Sequence, residues 1–304
     1  MHRQRAPDLA ATSAFRCGQV AIVGKPNVGK STLLNALVGA RIAITSKRAQ
    51  TTRQRLRGIL TTPQAQVIFV DTPGFQTRHR SPLNERMNRA VRASLADVDA
   101  IVAVFEAKKL DAADREVLSL LPAGVPVIAA VNKVDRLADR GRVLPLLAEI
   151  GAARDFTAIV PVSAEKGWQL EALAAEITAC LPPGPPLYAA DDLTDRDERF
   201  LAAEYLREKI FRLLGEEIPY AAAVMIDSFV QDGALRRIHA SVLVEKASQR
   251  AILLGKDGAR MKAIASAARR DMERLFGGKV FLEVWVRVKA GWADDERMLS
   301  RLGY

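Results

Sequence analysis

Apolar residues in the first half of the chain gather in short runs separated by amphipathic stretches. Five runs, at 20–23, 67–70, 100–105, 127–131 and 159–162, have the length of strands buried on both faces. Between them, apolar positions recur at helical spacing over 31–37, 84–95, 112–121 and 170–181. Strands alternating with such helices predict an α/β domain with a mostly parallel sheet and helices on both faces. The run Pro182-Pro183-Gly184-Pro185-Pro186 ends the pattern, because neither a helix nor a central strand accommodates it. The order then becomes a helix (200–214), two strands (221–230 and 237–245) joined by a turn at Asp232-Gly233, two helices (248–254 and 259–276) and a last strand (280–288). The expected division is a flexible extension (1–17), the α/β domain (18–181), a linker (182–199) and an α+β domain with a C-terminal tail (200–304).

The 304 residues, 49% hydrophobic, are enough for two separate cores. Cys17 and Cys180 lie far apart in sequence, which suits a reducing cytoplasm and supplies no disulfide or zinc framework. No apolar run approaches the ~20 residues that span a bilayer. The first 16 residues carry arginines but no apolar stretch, so a secretory signal is not expected there. The net charge of +10 raises the expectation of an anionic partner. The charge is also unevenly placed. From Arg236 to Lys289 there are thirteen Lys/Arg against five Asp/Glu, and from Arg41 to Arg57 six bases and no acid. From Asp191 to Glu217 the balance reverses, nine acids against five bases.

The residues after the predicted strands carry the chemistry. Gly24-Lys25-Pro26-Asn27-Val28-Gly29-Lys30-Ser31, followed by Thr32, fits the pattern GxxxxGK[ST] between a strand and a helix. Such a loop wraps backbone N–H groups around phosphate oxygens. Lys30 reaches the β- and γ-phosphates and the Ser31 hydroxyl takes Mg²⁺. Asp71-Thr72-Pro73-Gly74 closes the second strand; Asp71 suits the metal-side carboxylate and Gly74 can offer its N–H to the γ-phosphate. Within Gln50-Thr51-Thr52-Arg53-Gln54, Thr51 and Thr52 are candidates for a Mg²⁺-binding switch residue, with Thr52 preferred. Lys30, Thr52 and Gly74 are thus the expected catalytic groups, and Ser31, Thr52 and Asp71 the metal-side groups.

Asn132-Lys133-Val134-Asp135 follows the fourth predicted strand. The Asp135 carboxylate can accept from guanine N1–H and the exocyclic amine, a donor pair adenine lacks. That selects GTP and GDP over adenine nucleotides. Asn132 would hold the loop, and the Lys133 stem would cover the base. Ser163-Ala164-Glu165, after the fifth strand, would offer an N–H to the guanine carbonyl. All four motifs fall at strand C-termini, where such sheets bind ligands. Phe75 stands where Ras-like enzymes carry a water-orienting Gln. Hydrolysis is therefore expected to be slow, or to use another group to place water. Asn27 occupies a position from which a loop Asn could help hold K⁺ beside the phosphates.

In the second domain Gly255-Lys256-Asp257-Gly258 sets a GxxG between two helices, with Arg260 and Lys262 following. Glycines there admit a nucleic-acid backbone, and the flanking bases supply a positive field. The αββααβ order around it resembles a type II KH domain, a single-stranded RNA clamp. No aromatic stacking platform stands out in the sequence. The combination of GKPNVGKS, QTTRQ, DTPG, NKVD and SAE, a Pro-rich linker, a KH-like domain and the segment from Trp285 to Arg297 resembles the Era family of ribosome-assembly GTPases. The resemblance runs from about residue 17 to the C-terminus. It implies a P-loop GTPase domain, GTP/GDP and Mg²⁺ as ligands, and binding to the 3′ end of 16S rRNA during maturation of the 30S subunit. It also implies a monomer in the cytoplasm with peripheral contact to the inner membrane. Two alternatives stay open from the residues: an RNA-binding chaperone with a structural nucleotide, and a membrane-surface signalling GTPase.

Overall fold

Six strands form the first sheet in the order β2-β3-β1-β4-β5-β6. They are β1 (Arg16–Val23), β2 (Leu56–Thr61), β3 (Ala65–Asp71), β4 (Ala100–Glu106), β5 (Val127–Asn132) and β6 (Ala158–Pro161). The computed structural model describes residues 14–45, 56–71, 95, 97–214, 222–292 and 295–302. All pairings in this sheet are parallel except β2 with β3. Side-chain alternation along β1 divides the core in two. Val20 and Ile22 pack with Leu33, Phe69 and Leu173, beneath α1 (Lys30–Val38) and α4 (Leu170–Cys180). Ala21 and Val23 pack with Phe105, Val117 and Ile150, beneath α2 (Ala112–Ser119) and α3 (Val143–Ala153). Each fully buried aliphatic side chain contributes ~1.5–3 kcal/mol, and strands buried on both faces are why the sequence reads as unbroken apolar runs.

Neither β2 nor α3 was expected from the sequence pattern. Gly58 interrupts β2, which lowers its strand propensity. A Cβ at that position would lie 2.6 Å from Leu34 Cδ1 and 2.9 Å from Ile42 Cδ1, so glycine is needed for β2 to lie against α1. Helix α3 carries Pro145 in its first turn, where the missing N–H costs no helical bond. Of the predicted helix 84–95, only Leu95 lies within the described residues, and it is buried.

The second sheet has three strands, β7 (Ala223–Asp232), β8 (Leu235–Val244) and β9 (Lys279–Val288), in that order. β7 and β8 are antiparallel; β8 and β9 are parallel. Helices α5 (Glu198–Leu213), α6 (Ala247–Leu254) and α7 (Ala259–Phe276) complete the αββααβ order. Met261, Ile264, Ala268 and Met272 form the buried stripe of α7. They meet Leu206 and Ile210 of α5 and Ile238 and Val242 of β8 in one core. Helix α8 (Glu296–Arg301) and Trp292 cover one end of the opposite sheet face, over Ala223 and Leu243.

The stretch between α4 and α5 lies along the edge of the first sheet. Gln66 acts as a side-chain strand partner for it: Oε1 accepts from the amides of Leu187 (2.7 Å) and Tyr188 (2.9 Å), and Nε2 donates to the Tyr188 carbonyl. Ile59 N–H donates to the Leu193 carbonyl at 2.9 Å. The two domains also meet through charge. Arg41, just past α1, pairs with Glu208 and with Asp271 (2.8 Å), while the Tyr205 hydroxyl donates to the Arg41 carbonyl at 2.5 Å. Glu208 is fully buried and accepts from Thr45 N–H at 3.1 Å; Lys209 also pairs with Asp271. Burial pushes the Asp271 carboxyl up, but Lys209, Arg41 and Arg274 together hold it below the usual range. Of the basic block 41–57, the described residues therefore spend their charge within the molecule, since Arg57 pairs with Asp195.

Candidate functional site

The phosphate loop joins β1 to α1. Its geometry depends on residues that tolerate positive φ: Gly24 (155°), Asn27 (67°) and Gly29 (104°). A Cβ on Gly29 would lie 2.3 Å from Asn132 Nδ2, so only glycine lets the loop approach the end of β5. Lys30, at the first turn of α1, folds back to donate to the carbonyls of Gly24 (2.9 Å) and Lys25 (3.0 Å). Burial pushes its ammonium down to about 8, partly offset by Asp71. Among the described residues its hydrogen-bond acceptors are these loop carbonyls, and a buried cation so held is poised for an anion. Ser31 Oγ donates to Asp71 Oδ2 at 3.0 Å, which brings the predicted metal-side hydroxyl and carboxylate together.

Lys25 behaves differently from the rest of the loop. Its ammonium lies 2.6 Å from both Asp111 Oδ2 and Asp114 Oδ2, and the side chain is buried. Asp111 and Asp114 also close the first turn of α2 as a reciprocal capping box. The Lys25 ammonium holds the Asp111 carboxyl down at about 2. The Lys25 side chain is therefore an anchor of the loop to α2. Only its backbone remains for a phosphate. This partnership was invisible in the sequence, because 86 and 89 residues separate the partners.

The guanine-type motifs converge on the same edge. Asn132 Nδ2 donates to the Val28 carbonyl at 2.9 Å, and its Oδ1 accepts from Lys133 N–H and Ala164 N–H. One amide side chain thus links the phosphate loop to both base-side loops. Lys133, in the left-handed region, donates to the Asn27 carbonyl (2.6 Å) and pairs with Glu106 (3.0 Å). Val134 opens a short helical turn that carries Asp135. Asp135 Oδ1 accepts from Ser163 Oγ at 2.6 Å, which aims the carboxylate. Glu165 pairs with Arg136 at the surface. Pro26 and Thr32 lie in the same loop and helix start. Thr51, Thr52, Thr72, Pro73, Gly74 and Phe75 lie outside the described residues.

The second site is built on the α6–α7 turn. Gly255 (φ 67°) ends α6, and its Cβ would lie 2.8 Å from Arg260 Cβ, so the close approach requires glycine. Lys256 to Gly258 form one tight turn in which Asp257 takes φ 50°. Lys256 and Lys262 are exposed. Arg260 donates to the Ile252 carbonyl at 2.7 Å and so staples the last turn of α6. A groove of about 390 Å³ runs beside this turn, with Gly258, Lys262 and Arg269 on one wall and Leu282 and Val284 of β9 on the other.

Comparisons with known proteins agree with this arrangement. Residues 19–133 match the family model described as a 50S ribosome-binding GTPase, and residues 217–293 match the KH domain. The GTPase Era of Nitrosomonas eutropha is 53% identical over 97% of this chain and 99% of its own length. That of Chromobacterium violaceum is 53% identical over 95% of this chain and 98% of its own length. Among solved structures, an Aquifex aeolicus Era variant bound to GDP.AlF4- superposes with a TM-score of 0.91 at 38% identity, covering 95% of this chain and 99% of that one. An Era in complex with MgGDPNP and nucleotides 1506–1542 of 16S ribosomal RNA superposes with the same score, identity and coverage. A P-loop site tied to base-side loops, a KH domain behind it and half-identical relatives over nearly the whole length lead to one conclusion: the chain belongs to the Era family of GTPases.

Proposed function

We propose that this GTPase is a nucleotide-gated clamp for the 3′ end of 16S rRNA and assists maturation of the 30S subunit in the cytoplasm, acting as a monomer. The domain limits 18–181 and 200–304, joined by 182–199 and preceded by 1–17, belong to this reading. The observation that carries it is one chain holding a phosphate loop and a GxxG groove, with Arg41 joining the first domain to helices α5 and α7 of the second. The Era bound to a 16S rRNA fragment supports the choice of RNA. Contact with the inner membrane rests on the family resemblance alone. The described residues hold no helix long and apolar enough to cross a membrane.

In this reading the amides of residues 25–31 wrap the GTP phosphates, and Lys30 exchanges its two carbonyl partners for β- and γ-phosphate oxygens. Asp135 selects guanine, Asn132 fixes the loops around it, and Ser163, Ala164 and Glu165 close the base side. The Ser31 hydroxyl and Asp71 carboxylate form the hard oxygen pair that suits Mg²⁺ at the loop's mouth. Ser31 and Thr52 would hold the ion with Asp71 behind them; bound there, Mg²⁺ neutralises charge on the phosphates. Thr52 and Gly74 sense the γ-phosphate, and Asn27 helps hold K⁺. Gly255, Lys256, Asp257, Gly258, Arg260 and Lys262 form the RNA turn, with Arg260 also stapling α6.

The test is binding of a single-stranded RNA matching the 3′ end of 16S rRNA, first with a non-hydrolysable GTP analogue and then with GDP. Tighter binding with the analogue is expected. Equal affinities would overturn the gating. Lys30→Ala should remove GTP turnover; a variant that still turns over would overturn the site assignment.

A further inference from the structure

The outer face of the second sheet, opposite its helices, carries side chains that the GxxG groove does not use. Along β9, Val280 and Val286 enter the core, while Phe281, Glu283, Trp285 and Arg287 alternate onto the outer face. In register they stand beside Arg237, His239, Ser241 and Leu243 of β8. Helix α8 and Trp292 cover only the Leu243 end. The rest is open: Trp285 is 56% exposed, Val230 53% and Phe281 44%. Single exposed apolar side chains are ordinary, but three on one face of a three-stranded sheet point to an interaction surface.

This face sets planar rings beside basic side chains. The Arg237 guanidinium lies 6.0 Å from the Phe281 ring centroid, and the His239 ring 5.9 Å from it. Glu283 fixes His239 at 2.8 Å, Asp232 pairs with Arg237 at 3.1 Å, and Asp227 accepts from Ser241 Oγ at 2.6 Å and lies 3.9 Å from Arg287, so all three acids are engaged by neighbours. Lys279 lies two residues before Phe281 and Arg287 two residues after Trp285, so each ring has a base nearby in the strand. Phe281 and Trp285 are four strand residues apart, about 13 Å, which gives each ring room for its own base. β9 is also an edge strand, and its Leu282 and Val284 line the GxxG groove. A strand leaving the groove across this edge reaches the outer face at once.

We propose that this face is a second RNA subsite, where bases of the single strand running on from the GxxG groove stack on Phe281 and Trp285. The proposal rests on the reading of that groove as the RNA clamp. A KH groove holds about four nucleotides, so a longer strand must lie elsewhere. Exposed rings with adjacent cations are what sequence-tolerant stacking of single strands requires.

The experiment uses the full chain with a non-hydrolysable GTP analogue and two RNAs, of about four and about twelve nucleotides. The double variant Phe281→Ala, Trp285→Ala should lose about tenfold or more in affinity for the longer RNA and keep its affinity for the shorter. Trp285→Phe should retain most of the binding. In a Trp168→Phe background, the longer RNA should quench tryptophan emission, and the shorter should not. Unchanged affinity of the double variant for the longer RNA, with binding lost in Gly258→Asp, would overturn the platform and leave the groove standing. An equal loss for both RNAs would assign the effect to the groove and overturn the proposal. If Gly258→Asp binds both RNAs normally, the groove reading fails and this proposal with it. Self-association of the native chain that the double variant lacks would assign the face to a second copy instead.

Discussion

On the proposed reading, Lys30 couples nucleotide binding to pH. Its folded value of about 8 lies below the ordinary 10.5 because burial disfavours the charge. Phosphate oxygens favour the ammonium, so nucleotide binding raises the value again. Between pH 8 and the higher bound value, binding must take up a proton, and GDP affinity should fall with rising pH, approaching tenfold per unit. Affinity that stays flat from pH 7 to 10 would show that Lys30 is not desolvated as described. The same shift acts on stability with the opposite sign. Across pH 8 to 10.5 the unfolded chain keeps the proton that the folded chain has lost, so this term stabilises the free protein as pH rises. Asp135 gives a second test at this scale. Asp135→Asn replaces an acceptor with an amide that can donate to a carbonyl, so preference should move from guanine to xanthine nucleotides. Competition binding with both nucleotides reads this directly, and an unchanged preference would remove Asp135 from base recognition.

At the scale of elements, the bond between the phosphate loop and α2 is the least expected. Lys25→Met would leave Asp114, which is almost fully buried, without its cation. Removing one partner of such a pair costs about 3–5 kcal/mol. Adding Asp114→Leu should recover part of that loss, and urea unfolding of the three variants would measure it. A cost below about 1 kcal/mol would place the pair in the class of surface ion pairs. The elements were legible to different degrees. Runs such as Val127 to Val131 announce themselves because a strand buried on both faces must be apolar throughout. β2 was not legible, because its glycine answers to Leu34 and Ile42, contacts made only after folding. The outer-face aromatics of β9 were missed similarly. Their alternation fits an ordinary strand, and only the packing of α5 and α7 on the inner face, with α8 confined to the Leu243 end of the outer one, shows that they stay open.

At the scale of the whole molecule, the Arg41 cluster ties the chain just ahead of the expected switch segment to the helices of the second domain. Glu208→Gln keeps an acceptor for Thr45 N–H and removes the charge that meets Arg41. RNA affinity with the GTP analogue should then move toward that with GDP, while GTP turnover persists. An unchanged ratio of the two affinities would show that coupling runs by another route. Asp271 adds a pH window to this contact. Its carboxyl is held below the usual carboxylate value of ~3.9. Its contribution is therefore present above that value and is lost only as pH falls through the lower folded one.

The local motifs were determined by sequence alone. The glycines, Lys30 and Ser31 of the phosphate loop, Asp135 and the GxxG pair act through backbone shape and side-chain chemistry over a few residues, so their spacing in the chain is already their geometry. The partners of Asn132, Lys25, Gln66 and Arg41 were decided only by the tertiary structure. Each lies between 32 and 230 residues from at least one of its contacts. Such pairings depend on which strand C-termini, helix ends and domain faces meet, and packing of the two cores sets that.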